Sequence, residues 1–217
     1  MPKVNPVKAV FTAVVFCSLP FSTIYQNPNI VNSIPASLVQ DPQLQLEIPK
    51  DSWVRIFFRE IDKRAKTAKL SSLRSVLPND DLEARLWYEA GPFGLDGIVI
   101  RRTSGVWSGT YIHGRSMDPK FKQYNAQMPQ PRSGWDQAWK RLVEAGLLTL
   151  PDASQIGCFV GGKDMPWHVF ETNVNKTYRT YMYEYREPAE CEEAKQIAKL
   201  LQILSDEFNL GWTIHSL

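Results

Sequence analysis

Between Leu82 and His113 the chain carries three β-type runs separated by short turns, and this pattern constrains the fold more than any other feature. Leu82 to Glu89 alternates, with Leu82, Ala84, Leu86 and Tyr88 on one side and Glu83, Arg85, Trp87 and Glu89 on the other. That is the period-2 signature of a strand with one apolar face. Gly97 to Arg102 and Val106 to His113 are rich in β-branched and aromatic residues and flank Thr103-Ser104-Gly105. A short glycine-containing turn between such runs specifies a hairpin. Gly91-Pro92-Phe93-Gly94 joins the first strand to the second, so the segment reads as a three-stranded meander.

A second hairpin is expected at Trp167 to Tyr185, turning at Asn175-Lys176. A two-residue turn sets Phe170 opposite Tyr181 and His168 opposite Tyr183, a ladder of aromatic cross-strand pairs.

Three helices frame these strands. Asp51 is a fitting N-cap for a helix over about 52–69, whose Ile56, Ile61, Ala65 and Ala68 share a face. Ser133-Gly134-Trp135-Asp136 resembles a capping box ahead of a stripe of Trp135, Ala138, Trp139 and Leu142, with Gly146 as its stop. The last helix is expected to begin near Pro188, with Glu187, Glu190, Glu192 and Glu193 at its positive end, and to bury Cys191, Ile197, Leu201, Leu204 and Phe208. The expected fold is therefore α+β: about five antiparallel strands, a meander plus a hairpin, in the order αβββαββα, with the helices covering one face.

The first 48 residues read differently. Met1 to Lys8 carries two lysines and no acid, Ala9 to Leu19 is uncharged, and Pro20 ends the run. This is the layout of a secretory signal, and it is too short to span a bilayer. The domain organisation read from this is a signal peptide at 1–22, a polar disordered linker at 23–48 punctuated by Pro28, Pro35 and Pro42, and one α+β domain at 49–217. The mature chain, expected to start between residues 19 and 27, has no transmembrane segment and is periplasmic or secreted. Phe16 beside Cys17 argues against lipoprotein anchoring there, because a lipobox takes a small residue at that place.

The formal charge is +2, from 25 basic and 23 acidic side chains. Removing Lys3 and Lys8 with the signal leaves a neutral domain, which excludes a general attraction to nucleic acid or anionic lipid. Cys158 and Cys191 then form an even pair in an exported chain and are expected to be disulfide-bonded.

Catalytic motifs are sparse. His113, His168 and His215 are scattered, and no paired spacing suits a metal. Ser108-Gly109 lies on a strand rather than in a nucleophile elbow, and Gly161-Gly162-Lys163 lacks the rest of a phosphate loop. No cofactor is expected. Arg179, Tyr181, Tyr183 and Tyr185 alternate along one strand, a composition favoured at interfaces, so Arg179, Tyr181 and Tyr183 are the candidate partner-binding face. The long connections 114–132 and 151–166 are further candidates.

Ala84-Arg85-Leu86-Trp87, Gly97 to Thr103 with Trp107, Leu150 to Cys158, Asn175 to Tyr181 and Cys191 to Gln196 together resemble an uncharacterised family of exported bacterial proteins, over about residues 80–208. The resemblance implies export and a bacterial source and carries no activity or ligand. Two functions follow as expectations. The leading one is a non-catalytic exported domain that binds a protein or glycan partner in the envelope or outside the cell. The alternative is an envelope hydrolase using His113 or His168 with a nearby carboxylate.

Overall fold

The computed structural model describes residues 44–49, 52–78, 80–89, 95–113, 124–156, 167–184 and 191–209. The readings of residues 1–22, of most of the linker, of Cys17, Cys158 and His215, and of Gly161-Gly162-Lys163 lie outside these.

The elements are β1 (Gln45–Glu47), α1 (Ser52–Thr67), β2 (Leu82–Glu89), β3 (Leu95–Thr103), β4 (Val106–His113), β5 (Tyr124–Gln127), α2 (Trp135–Glu144), β6 (Trp167–Val174), β7 (Thr177–Glu184) and α3 (Glu192–Phe208). The fold is α+β. The sheet has seven strands in the order β1-β7-β6-β2-β3-β4-β5, two more than the sequence pattern indicates, and it is mixed rather than purely antiparallel. The five expected strands form its centre. The additions are edges: β5 pairs antiparallel with β4 inside the expected 114–132 connection, and β1 pairs parallel with β7 from the end of the expected linker.

Both hairpins turn on two residues with positive φ, Ser104 and Gly105 in one and Asn175 and Lys176 in the other. Such turns twist in the sense of the flanking strands and fix the register. Phe170 accordingly pairs with Tyr181, and His168 with Tyr183.

Helices cover both faces of the sheet, not one. Leu142 of α2 and Ile197, Leu200, Leu201 and Leu204 of α3 pack with Ala84, Leu86, Ile98, Ile100, Phe170, Tyr181 and Tyr183. Ile61 and Ala65 of α1 pack on the opposite face with Trp87, Val99, Ile112, Val169 and Met182. Sequence pattern misses this because the α1 side of β2 reads as charged. Its charges are instead buried and paired: Glu83 accepts from Arg85 Nε at 2.6 Å and Arg101 Nε at 2.5 Å. Glu171 accepts from Trp87 Nε1 at 2.7 Å and Tyr178 Oη at 2.8 Å. A buried ion held this way is tolerated because its lone pairs are satisfied.

The capping of α2 and α3 departs from expectation. Gly134, at φ 82°, is the N-cap of α2, and no side chain caps it. Ser133 instead gives its backbone N–H and its hydroxyl to the Glu207 carboxylate, at 2.9 and 2.8 Å, and Arg141 pairs with the same group. A residue of α3 thus serves the N-terminus of α2 and ties the two helices. Gly146, at φ 102°, ends α2 as expected, with Leu147 N–H donating to Leu142 O. The last helix begins at Glu192, later than the Pro188 start, with Cys191 as its N-cap. Among the described residues no helix is long and apolar enough to cross a membrane.

Candidate functional site

One transverse row of side chains gathers most of the polar aromatic chemistry. Registers across the sheet pair Tyr183 with His168, His168 with Tyr88, Tyr88 with Asp96, and His113 with Tyr124. Between β3 and β4 the last pair is Gly97 with Ile112, so the next step outward sets Asp96 beside His113. Tyr183, His168, Tyr88, Asp96, His113 and Tyr124 therefore run side by side over six strands. The row lies on the face that α2 and α3 cover, at the end of the sheet where β2, β4 and β7 finish and β3, β5 and β6 begin. It grades from buried Tyr183 and His168 to Tyr124, which is 50% exposed.

Asp96 is the hub. Tyr88 Oη donates to its Oδ2 at 2.9 Å, and Tyr111 Oη, two residues before His113 on the same face, donates at 3.1 Å. The two hydroxyls lie 3.1 Å apart. His113 Nδ1 is 3.0 Å from both carboxylate oxygens. Since an ionised carboxylate only accepts, His113 Nδ1 is the donor in this contact. Burial, reinforced by the Tyr111 hydrogen bond and the Asp96 charge, raises the pKa of Tyr88, so it remains a neutral donor. His113 stacks near Tyr111 at 6.0 Å between centroids and lies tilted against Tyr124 at 5.1 Å. The result is an imidazole held in position beside a part-exposed aromatic ring.

His168 is different. It is buried and lies parallel to Tyr88, 6.4 Å between centroids, and its Nδ1 has no hydrogen-bond partner. Burial lowers its pKa to about 4, so it is neutral at pH 7. Of the two candidate histidines, the described hydrogen bonds give only His113 a carboxylate.

Arg179, Tyr181 and Tyr183 do not form an exposed face. Tyr181 and Tyr183 belong to the core and hold the chain that follows α2, donating to Leu147 O at 2.9 Å and Pro151 O at 2.6 Å. Arg179 lies over the Tyr181 ring and donates to Glu47, Leu148 O and Leu150 O. The carboxylate opposite Arg179 comes from β1, which the linker reading excluded. Ser108 and Gly109 lie on β4, and Trp135 crowds Gly109. Among the described residues no three His, Cys, Asp or Glu side chains are placed to hold a metal ion.

Asp96, Tyr111 and Tyr124 escape sequence reasoning. The signal that finds Asp96 is the pair of registers, since the Ser104-Gly105 turn counts outward to His113 and the β2–β3 pairing counts back to Tyr88. Tyr124 lies in a strand whose four residues are all exposed, and no period marks it.

No protein-family model matches the chain, and no curated protein matches it.

Proposed function

We propose that the chain is a non-catalytic exported binding domain and that the rim formed by Tyr88, Asp96, Tyr111, His113 and Tyr124 takes a glycan of the envelope or the extracellular space. The observation that carries this reading is the convergence of three donors, Tyr88, Tyr111 and His113, on the Asp96 carboxylate next to the part-exposed Tyr124 ring. A sugar offers an apolar ring face and hydroxyl donors together. Tyr124 supplies an aromatic surface for the first, and the polar cluster of Tyr88, Asp96, Tyr111 and His113 lies beside it for the second. Preorganisation by Asp96 lowers the ordering cost of binding. The basic start, uncharged run and Pro20 support export, and the neutral mature charge supports a partner that is neither nucleic acid nor anionic lipid.

Calorimetric titration of envelope glycan fragments into wild type, His113→Ala and Tyr124→Ala tests the reading. Binding by wild type that weakens about tenfold or more in each variant is expected. Absence of glycan binding, or binding indifferent to both substitutions, would overturn it.

The Asp96–His113 pair supports a second reading, hydrolysis at the same rim. A carboxylate on Nδ1 orients an imidazole as a general base in acyl transfer. Turnover of chromogenic ester or glycoside substrates by wild type, abolished in His113→Ala, would replace the binding reading with this one.

A further inference from the structure

β1 is a short strand attached to an otherwise antiparallel sheet. Its three residues are all exposed, and it is the parallel member of the sheet. Little apolar burial holds it, since Leu46 remains 56% exposed. What holds it is backbone pairing, including Gln45 N–H to Lys176 O at 3.1 Å, and the bond from Arg179 Nε to Glu47 Oε2 at 2.5 Å. Without β1, the outer edge of β7 presents unpaired backbone groups.

The receptor half of this contact is built independently of β1. Leu148 O and Leu150 O accept from the two terminal nitrogens of Arg179, and its guanidinium carbon lies 5.9 Å from the Tyr181 ring centroid. These groups fix the side chain without bringing a charge of their own, and among the described residues Glu47 is the carboxylate paired with it. Beside the contact lies a cavity of about 220 Å³ lined by Glu47, Pro49, Asp152, Gln155, Arg179 and Tyr181, among others.

We infer that the outer edge of β7 is a strand-acceptor site for an extended acidic segment of a partner protein, and that Gln45–Glu47 is its resident, displaceable occupant. The partner segment adds parallel to β7, matches its backbone groups and sets a carboxylate on Arg179. This is strand addition, in which main-chain bonds give affinity and one side-chain contact gives selectivity. The chemistry of the occupant is on view in β1 itself, a leucine flanked by glutamine and glutamate. The site is separate from the rim, so it stands or falls apart from glycan binding.

The test uses the full chain and a fluorescein-labelled peptide of sequence Leu-Gln-Leu-Glu-Ile-Pro, that of residues 44–49. Two opened forms are compared with wild type: Glu47→Ala, which removes the ion pair at an exposed position, and Gln45→Pro/Glu47→Ala, which also removes the N–H given to Lys176. Fluorescence anisotropy is expected to show the opened forms binding the peptide about tenfold or more tighter than wild type. Replacing the peptide's Glu by Gln should return binding to the wild-type level, a control that leaves the protein fold untouched. Equal binding of the Glu and Gln peptides, or no binding to either opened form, would overturn the inference. A concentration-dependent dimer of the opened forms that excludes the peptide would also overturn it, in favour of a second copy as the occupant.

Discussion

His113 Nδ1 lies 3.0 Å from both carboxylate oxygens of Asp96, and the same carboxylate takes the hydroxyls of Tyr88 and Tyr111. One acid therefore sets the position of three side chains from β2 and β4. Asp96→Asn keeps the size of the side chain but offers one acceptor oxygen and two N–H donors where two acceptors stood. At least one of the three donors then loses the acceptor it has in Asp96. Glycan affinity is expected to fall about tenfold or more, and stability by about 1–3 kcal/mol, the usual cost of an unsatisfied buried polar group. Calorimetric titration and urea unfolding measure the two effects.

Gly97 faces Trp87 so closely that a Cβ there would sit 2.6 Å from the ring. The ring cannot move aside without cost, because it is fully buried and its Nε1 is bonded to Glu171. Gly97→Ala is expected to destabilise the chain by about 1–3 kcal/mol through overpacking. Chemical denaturation reads this loss, and Trp87→Phe in the same background should recover part of it by giving the methyl group room.

The central strands were legible because their turns are short. Ser104-Gly105 and Asn175-Lys176 leave the backbone one register, and the aromatic pairs Phe170–Tyr181 and His168–Tyr183 follow. The edges were not legible, for a physical reason. Gln45–Glu47 and Tyr124–Gln127 are exposed on every residue, so neither buries the alternating apolar face by which a strand declares itself. They are held by backbone pairing, β1 to β7 far along the chain and β5 to the preceding strand β4. The covering of both sheet faces was hidden in the same way, since Glu83, Arg85 and Glu171 look like solvent-facing residues until their partners Arg101, Trp87 and Tyr178 are in place. Asp96 was hidden by its position beside a turn. It becomes a site residue only when two registers are joined into one row.

The pairing of Cys158 with Cys191 remains a proposal, and Cys191 at the N-cap of α3 is its described half. A bridge would close a loop of 34 residues counted inclusively. On the chain-entropy account it contributes about 3.5–4 kcal/mol, as an upper figure. Intact-mass measurement of the purified chain with and without reductant is expected to show a difference of two hydrogens. Cys191→Ser should lower unfolding stability by up to that amount and abolish the mass difference. Equal masses before and after reduction would reject the bridge.

His168 gives the chain a defined acid sensitivity. Its imidazole is buried among β2, β6 and β7, beside Tyr88 and opposite Tyr183, and burial lowers its pKa to about 4. In the unfolded chain a histidine titrates near 6.5, so between roughly pH 6.5 and 4 the unfolded state binds the proton that the folded state refuses. The stability that goes with this neutral ring is therefore fully present above about pH 6.5. In wild type it declines as pH falls through 6.5 and levels off below about 4. At pH 4.5 the loss attributable to this group is about 2–3 kcal/mol relative to pH 7.5. Glu207, whose pKa the bonds from Ser133 and Arg141 lower in spite of its burial, also loses its stabilising charge in acid. The His168 contribution must therefore be read as a difference between two chains. Urea unfolding of wild type and His168→Phe at pH 7.5, 6.0 and 4.5 isolates it. Phe is close in volume, removes the orphaned Nδ1 and keeps the stacking on Tyr88. The gap between the two chains should shift in favour of His168→Phe by about 2–3 kcal/mol on going from pH 7.5 to 4.5. A gap that does not change with pH would mean that the ring is protonated in the folded state, and that water or a carboxylate reaches it there.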